Sequence, residues 1–373
     1  MSIIGQGRIE NPVCGFRLNR RRLLGAAALA AGAHSLSSSA SGDELEQPHG
    51  SITEVAGVRV GHFTHRRKPT GCTVILFEHG AVAGVDVRGS APGTRETDLL
   101  NPINTVQEVN AIVLSGGSAF GLETANGVMR WLEEHGQGYH VGPLVVPIVP
   151  AAILFDLQIG DPKIRPDEES GYAACEAASN ASVAEGNVGA GAGATVGKLF
   201  GPHAAMKSGL GTASIRIGDT GLVVGAIVAV NALGDVRSHR TGKILAGARS
   251  GNGQFLDTMA QLAAGSRGAR EQHASAGTNT TIGVVATNAV LSKVDMTKVA
   301  QMAHDGYART INPVHTSADG DAIFAVSTGT ASAKADVTTI GAVAAEAMAK
   351  AVNRAVITAT GVPGYPAYRD MAK

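Results

Sequence analysis

The sequence predicts an α/β protein, and three observations carry that reading. Short, uncharged runs rich in β-branched residues recur along the chain: Ala111 to Leu114, Leu222 to Val230 and Ile282 to Ala286. Runs of that length and composition read as strands buried on both faces. Between and after them stand apolar residues at helical spacing, as in Met296, Val299, Ala300, Ala303 and Tyr307. Glycine is abundant, at 49 residues, while aromatics make up only 4% of the chain. The core must therefore be built largely from Ala, Val, Ile and Leu, joined by tight turns.

Taken in order, residues 51–60 and 71–77 read as strands joined by the polar turn HRRKPT, and Ala81 to Val87 as another short strand. The loop RGSAPGTRETDLL follows. After the strand at 111–114, Ser115-Gly116-Gly117-Ser118 leads into a helix with Phe120, Leu122, Ala125, Val128, Met129 and Leu132 on one face. Strand, glycine turn with serine, then helix suggests a nucleophile elbow. Phe120 stands where the second glycine of GxSxG belongs, so close packing of helix on strand is the better reading. Residues 144–157, apolar with two prolines, suit edge strands or a buried connection. A polar, helix-capable stretch runs from there to about Ala184.

Residues 185–199, EGNVGAGAGATVGKL, fail as a P-loop: the spacing is one residue short, and Leu199 stands where a hydroxyl should be. No strand precedes them, which also disfavours a dinucleotide fingerprint. What remains is a glycine loop able to approach another group closely, ending in Lys198. Asn231 closes the strand at 222–230, as a turn former or as a donor aimed into a site. Residues 237–279 are rich in Gly, Ser, Arg and Gln, with one helical patch near Phe255 to Leu262. They read as an exposed, cleavable linker. Ser292 and Asp295 open the next helix in a capping-box-like pattern. The last helix, Thr338 to about Thr358, is Ala-rich and should pack between layers.

The composition excludes some functions. Formal net charge is zero over 373 residues, so there is no electrostatic case for nucleic acid. No apolar run reaches the roughly 20 residues of a membrane span. Residues 1–40 have the layout of an export signal: Arg20, Arg21 and Arg22, then LLGAAALAAGA, then SLSSSASG. The paired arginines ahead of two leucines look like a twin-arginine signal, cut after Ala33 or Ala40, which places the protein in the periplasm or outside the cell. A basic, Ala-rich leader without that role is the alternative. Cys72 and Cys175 remain after removal of the leader, as two buried thiols or, in an oxidising compartment, a disulfide. His62 and His65 flank an extended segment, and no Cys/His spacing resembles a metal site.

Around Gly277 to Ala289, GTNTTIGVVATNA, two hydroxyls stand where a loop enters a buried strand. Thr280 and Thr281 are strand formers by composition. Thr280 is also placed to cut the chain before itself and become an N-terminal nucleophile. Further on, Asp319 and Asp321 bracket Gly320 ahead of an apolar strand, a pattern that turn chemistry alone can explain.

Five segments, GAVAGVDVRGSAPGTRETDLL, LSGGSAFGL, EGNVGAGAGATVGK, NTTIGVVATNA and HTSADGDAIFA, resemble the DmpA-type aminopeptidases. These are self-processing N-terminal-nucleophile hydrolases that include the nylon-oligomer hydrolase. The resemblance runs from about residue 52 to the C-terminus. It implies a four-layer αββα sandwich of the kind shared with ornithine acetyltransferase. It implies cleavage between Asn279 and Thr280 into a larger piece, residues 48–279, and a smaller one, residues 280–373. The two would stay associated and join further into a homo-oligomer. It puts the nucleophile on Thr280, the paired orienting residues on Asp319 and Asp321, the lysine on Lys198 and the oxyanion asparagine on Asn231. Many members have Ser and a Ser/Glu pair instead, so this chain stands closer to the nylon-oligomer branch. A tyrosine of some members is replaced by Phe155, which puts their substrate preference in doubt here.

The chemistry is coherent without the family. A threonine hydroxyl needs a base within reach, and a freed α-amine with pKa about 7.7–8.0 can serve. Asp319 and Asp321 can hold amine and hydroxyl in register, Lys198 can offset negative charge, and Asn231 can donate to the oxyanion. No cofactor and no metal are required. The expected substrate is a small peptide, an amino-acid amide or a related amide oligomer. The competing readings are an acyl transferase of the ornithine-acetyltransferase type and a non-catalytic binding protein on the same fold.

Overall fold

The computed structural model describes residues 50–266 and 277–371. The leader expected at residues 1–40 lies outside the described residues, as do positions 267–276 of the expected linker.

The backbone forms one hydrogen-bonded path of strands. Its order is Leu210–Arg216, Val223–Asn231, Thr280–Thr287, Ala322–Ser327, Gly71–Val87, Glu108–Ser115, Ala151–Ile153 and Thr94–Arg95, with Val58–Thr64 paired on Gly71–Val87. Most neighbours are antiparallel. Thr280–Thr287 with Ala322–Ser327 is parallel, and so is Glu108–Ser115 with Ala151–Ile153. The 17-residue strand Gly71–Val87 joins the two halves of the path. Its first part pairs with Val58–Thr64 and its last part with Ala322–Ser327. Between Leu76 and Ala81 its register on Glu108–Ser115 shifts. Such an irregularity bends and twists a strand, which here turns one half of the path over the other.

Three cores follow from that folding, and three cores between packed elements mean four layers. Ile75, Phe77, Ile112 and Leu114 share the middle core with Ile227, Ile282, Val284 and Phe324, so the two halves face each other. Val285, Ala325 and Val228 belong to a second core with residues of helices Lys293–Thr310 and Val337–Ile357. Val74, Leu76 and Val113 belong to a third, with residues of helices Thr124–Glu134 and Glu168–Glu176. Neighbours in sequence such as Val284 and Val285 enter different cores because strand side chains alternate. This is the expected αββα sandwich, with its two sheet layers joined through one long strand. Small side chains suit it: Ala344, Ala347, Ala351 and Ala355 line the buried face of the last helix. The Ser292–Asp295 capping box is present.

Several local expectations are corrected. The strand expected over 51–60 starts at Val58 and runs on to Thr64. The strands expected at 71–77 and 81–87 are one, because the polar Glu78-His79-Gly80 is accommodated as a ladder irregularity rather than a chain reversal. Phe120 leaves the predicted helix face. Ser118–Glu123 is a 3-10 turn, which advances about 120° per residue and carries Phe120 out of the stripe. Its ring is 54% exposed and lies 3.7 Å under the Arg165 guanidinium. In the 144–157 stretch, Leu144–Val146 pairs with Tyr139–Val141 in an outlying hairpin, while Ala151–Ile153 is an interior strand. The stretch read as a linker is folded as far as Ser266. It contains strand Ile244–Ala246 and helix Thr258–Ala263. Buried Asp235 anchors it, accepting from the backbone of Ala248 at 2.8 Å and of Thr258 at 2.6 Å. Gly and Ser marked its turns rather than a free chain. Cys72 and Cys175 are buried and free.

Candidate active site

Sheet register assembles the site around the start of the Thr280–Thr287 strand. All eight residues of that strand are buried. On one side Asn231 pairs with Thr280, and on the other a bridge joins Asn279 to Asp319. The resemblance placed the nucleophile, the asparagine and the aspartate pair on three separate segments, and hydrogen-bonded neighbours bring those segments together. Thr280 Oγ1 lies 2.5 Å from the carbonyl oxygen of Asn279, the residue just before it. The Gly320 backbone N–H donates to the same oxygen at 2.8 Å. Thr280 is 2% exposed, so this carbonyl is polarised out of water.

Gly320 owes its place to its size. A Cβ there would stand 2.5 Å from the Ala91 carbonyl oxygen and 2.9 Å from Thr280 Oγ1. The loop after strand Gly71–Val87 accounts for the first of these contacts. Arg88 N and Gly89 N both donate to Asp321 O, at 3.0 and 3.1 Å, and Ala91 N donates to Asp319 O at 2.9 Å. The RGSAPG segment thus clamps the Asp-Gly-Asp turn through the backbone.

The two carboxylates are held differently. Asp319 Oδ2 accepts from Thr316 N at 3.0 Å and Thr316 Oγ1 at 2.5 Å, and Oδ1 accepts a long 3.4 Å bond from Leu233 N. Burial, and then the neighbouring Asp321, push the Asp319 carboxyl above its usual range. Asp321 Oδ1 accepts from Thr281 N at 2.7 Å, and Oδ2 takes two bonds from His315. These bonds surround Thr280 rather than end on its hydroxyl.

The glycine loop delivers Lys198. Gly197 sits at φ +72°, and a Cβ on it would stand 2.1 Å from Ala248 N. Lys198 Nζ donates to Asn231 O at 2.8 Å and to Thr278 O at 2.9 Å. Burial pulls its pKa down to about 7, against the opposing pull of Asp319 and Asp321. Asn231 Oδ1 accepts from Thr195 N at 3.1 Å. Its Nδ2 donates to Phe155 O at 3.1 Å and to Thr278 O at 3.4 Å. Asn231 therefore reaches the carbonyl one residue before the Asn279 carbonyl. Phe155 contributes its backbone oxygen.

A shallow cleft opens beside these groups, lined by Thr195, Lys198, Leu233, Thr278, Asn279 and Tyr365 among others. It borders the residues preceding Thr280. Among the described residues, no group of three or more His, Cys, Asp or Glu side chains could hold a metal ion. The sequence reading brought together Thr280, Asn279, Asp319, Asp321, Lys198 and Asn231, and missed Gly320, His315 and Thr316. The signals were small: a glycine between two aspartates, and a His-Thr pair just ahead of them.

The sequence model of peptidase family S58 matches residues 50–369. An uncharacterized aminopeptidase of Mycobacterium leprae is 45% identical over 306 residues, covering 76% of this chain and 80% of the relative. A 6-aminohexanoate-oligomer endohydrolase of Kocuria sp. is 31% identical over 271 residues, covering 73% of each. Among solved structures, the L-aminopeptidase D-Ala-esterase/amidase of Ochrobactrum anthropi superposes with a TM-score of 0.63 at 20% identity, covering 85% of this chain and 89% of that one. A beta-aminopeptidase of Burkholderia sp. gives a TM-score of 0.62 at 21% identity over the same shares. These two likenesses speak for the N-terminal-nucleophile hydrolase fold.

Proposed function

The chain belongs to peptidase family S58 and is an amide-bond hydrolase of the aminopeptidase type, and from that premise we propose that it cuts itself before Thr280 to make its own nucleophile. One observation carries the proposal. Thr280 Oγ1 and the Gly320 N–H converge on the carbonyl oxygen of Asn279, buried at a strand start.

The hydroxyl attacks the Asn279 carbonyl carbon, and negative charge develops on the oxygen that Gly320 N–H already contacts. The C–N bond breaks, nitrogen takes a proton, and Asn279 is left as an ester on Thr280 Oγ1. Water hydrolyses the ester, giving an Asn279 carboxylate and a free threonine. Its α-amine, with pKa about 7.7–8.0 by type, is then the base for the same hydroxyl. Asp319 and Asp321 orient amine and hydroxyl. Lys198 offsets the charge of the oxyanion, and Asn231 donates to it once departure of the 278–279 segment frees its Nδ2.

The substrate's acyl residue takes the position of Asn279, beside the cleft. That fits small peptides, amino-acid amides or amide oligomers, read at their N-terminal amide bond. Export by the twin-arginine leader and assembly of the paired pieces into a homo-oligomer complete the proposal. A denaturing gel tests it: two chains are expected, the smaller beginning Thr-Thr-Ile-Gly on Edman sequencing. One intact chain with full hydrolytic activity would end it.

A further inference from the structure

We infer that His315 is a positioning residue for the reaction, acting by locking the Asp321 carboxylate. The inference rests on the reading above, in which Asp321 orients the freed amine of Thr280.

His315 gives both of its nearby N–H groups to one oxygen. Its ring Nδ1 lies 2.8 Å from Asp321 Oδ2, and its backbone N lies 3.2 Å from the same atom. The other oxygen, Oδ1, accepts from Thr281 N at 2.7 Å. One carboxylate oxygen is therefore tied to the residue after the nucleophile, and the other to His315. With both ends held, the carboxylate cannot turn about its own axis. The Asp321 side chain is 1% exposed, so water does not compete for these bonds.

The backbone is bent to make this arrangement. His315 has φ +54°, a left-handed conformation that residues with a side chain seldom adopt. That conformation lets the ring and the peptide N–H converge on the same oxygen.

The surroundings fix the tautomer. An ionised carboxylate only accepts, so Nδ1 carries the proton. The far nitrogen, Nε2, is buried without a hydrogen-bond partner among the described residues. Against the ring stands His304, with centroids 4.7 Å apart and edge to face. His304 Nε2 donates to the Asp86 carbonyl oxygen at 3.0 Å, so it offers His315 no proton from that nitrogen. Tyr307 stands 6.2 Å away, and its hydroxyl, like His304 Nδ1, is buried without a hydrogen-bond partner among the described residues. Neither of these atoms is hydrogen-bonded to His315, which leaves Asp321 as the acceptor of the Nδ1 proton.

The test uses the full chain and three variants. Turnover is read on the p-nitroanilide of L-, D- or β-alanine, whichever the wild type hydrolyses fastest. His315→Gly removes the ring without backbone strain. It should still yield two chains, with KM unchanged and kcat lowered about 10- to 100-fold, the size of effect expected from a misplaced catalytic group. His315→Asn puts an amide N–H close to the Nδ1 position and tolerates positive φ, so it should recover most of kcat. Wild-type kcat in His315→Gly, or an Asn variant no better than the Gly variant, overturns the inference. Asp321→Asn separates the two levels. Turnover that survives it removes the role of Asp321 itself. Turnover lost there but kept in His315→Gly removes only the role of His315. Should the Gly chain not fold, His315→Ala replaces it: it removes the ring and its donor without adding a charge, and wild-type kcat in that variant overturns the inference equally.

Discussion

The amide of Gly320 and the carbonyl of Asn279 meet at 2.8 Å across two neighbouring strand starts. In the proposed self-cleavage, a glycine between two aspartates would thereby supply an oxyanion donor that has no side chain. Gly320→Ala would drive a Cβ against the Ala91 carbonyl oxygen and Thr280 Oγ1. Displacing a single oxyanion donor typically costs about 10²–10³ in rate, so self-cleavage should slow by about that factor. Pulse-labelled chains followed on a denaturing gel measure it. Cutting at the wild-type rate would remove Gly320 from the reaction.

Thr280 is tested at both of its proposed tasks. Thr280→Ala should give one uncut chain without activity. Thr280→Ser should keep both steps at reduced rate, since the hydroxyl and its neighbours survive. An alanine variant that still hydrolyses substrate would falsify the assignment.

Lys207 makes a prediction about pH. Its Nζ is buried under the glycine loop, donating to the carbonyl oxygens of Gly191, Ala194 and Ser208. Burial lowers its pKa to about 7, against the pull of Asp156. An unfolded lysine keeps its proton to about 10.4. Between these values the unfolded chain binds more protons than the folded one, so stability rises with pH across that window. On the uncut Thr280→Ala chain, the urea midpoint should increase from pH 7 to 9. Lys207→Met should flatten that increase by removing this group's share; an identical slope would contradict the buried-lysine account.

Export, as proposed, should depend on Arg20 and Arg21. Replacing both with Lys should leave the precursor in the cytoplasm, as judged by fractionation. Normal export of that variant would leave the leader without its twin-arginine role.

Much of the site was legible because its side chains carry recognisable chemistry in fixed order. Thr280, Asp319, Asp321, Lys198 and Asn231 could be named from the segments that hold them, and sheet pairing with the glycine loop brings them together. Gly320 was not legible as a donor, because a backbone N–H has no letter of its own. His315 sat inside a segment already singled out, but its partner is set by a positive φ that the sequence does not display. For the fold, the strand at 282–286 was clear from its uncharged run, all of it buried. The single strand Gly71–Val87 was not, since Glu78-His79-Gly80 has the composition of a turn whether the chain reverses there or only kinks. Phe120 shows a related limit: helical periodicity presumes 100° per residue, and a 3-10 start breaks it.

The strand order has one more consequence. Thr280–Thr287 and Ala322–Ser327 lie side by side, flanked by Val223–Asn231 on one side and Gly71–Val87 on the other. A cut before Thr280 would therefore leave the short fragment as a wedge driven through the middle of the long one. Neither fragment could withdraw without tearing two ladders and opening the middle core. Maturation would be irreversible in the plain mechanical sense. Each molecule would keep for life the partner it was born with, and an inactive copy could not be repaired by borrowing a sound fragment from another.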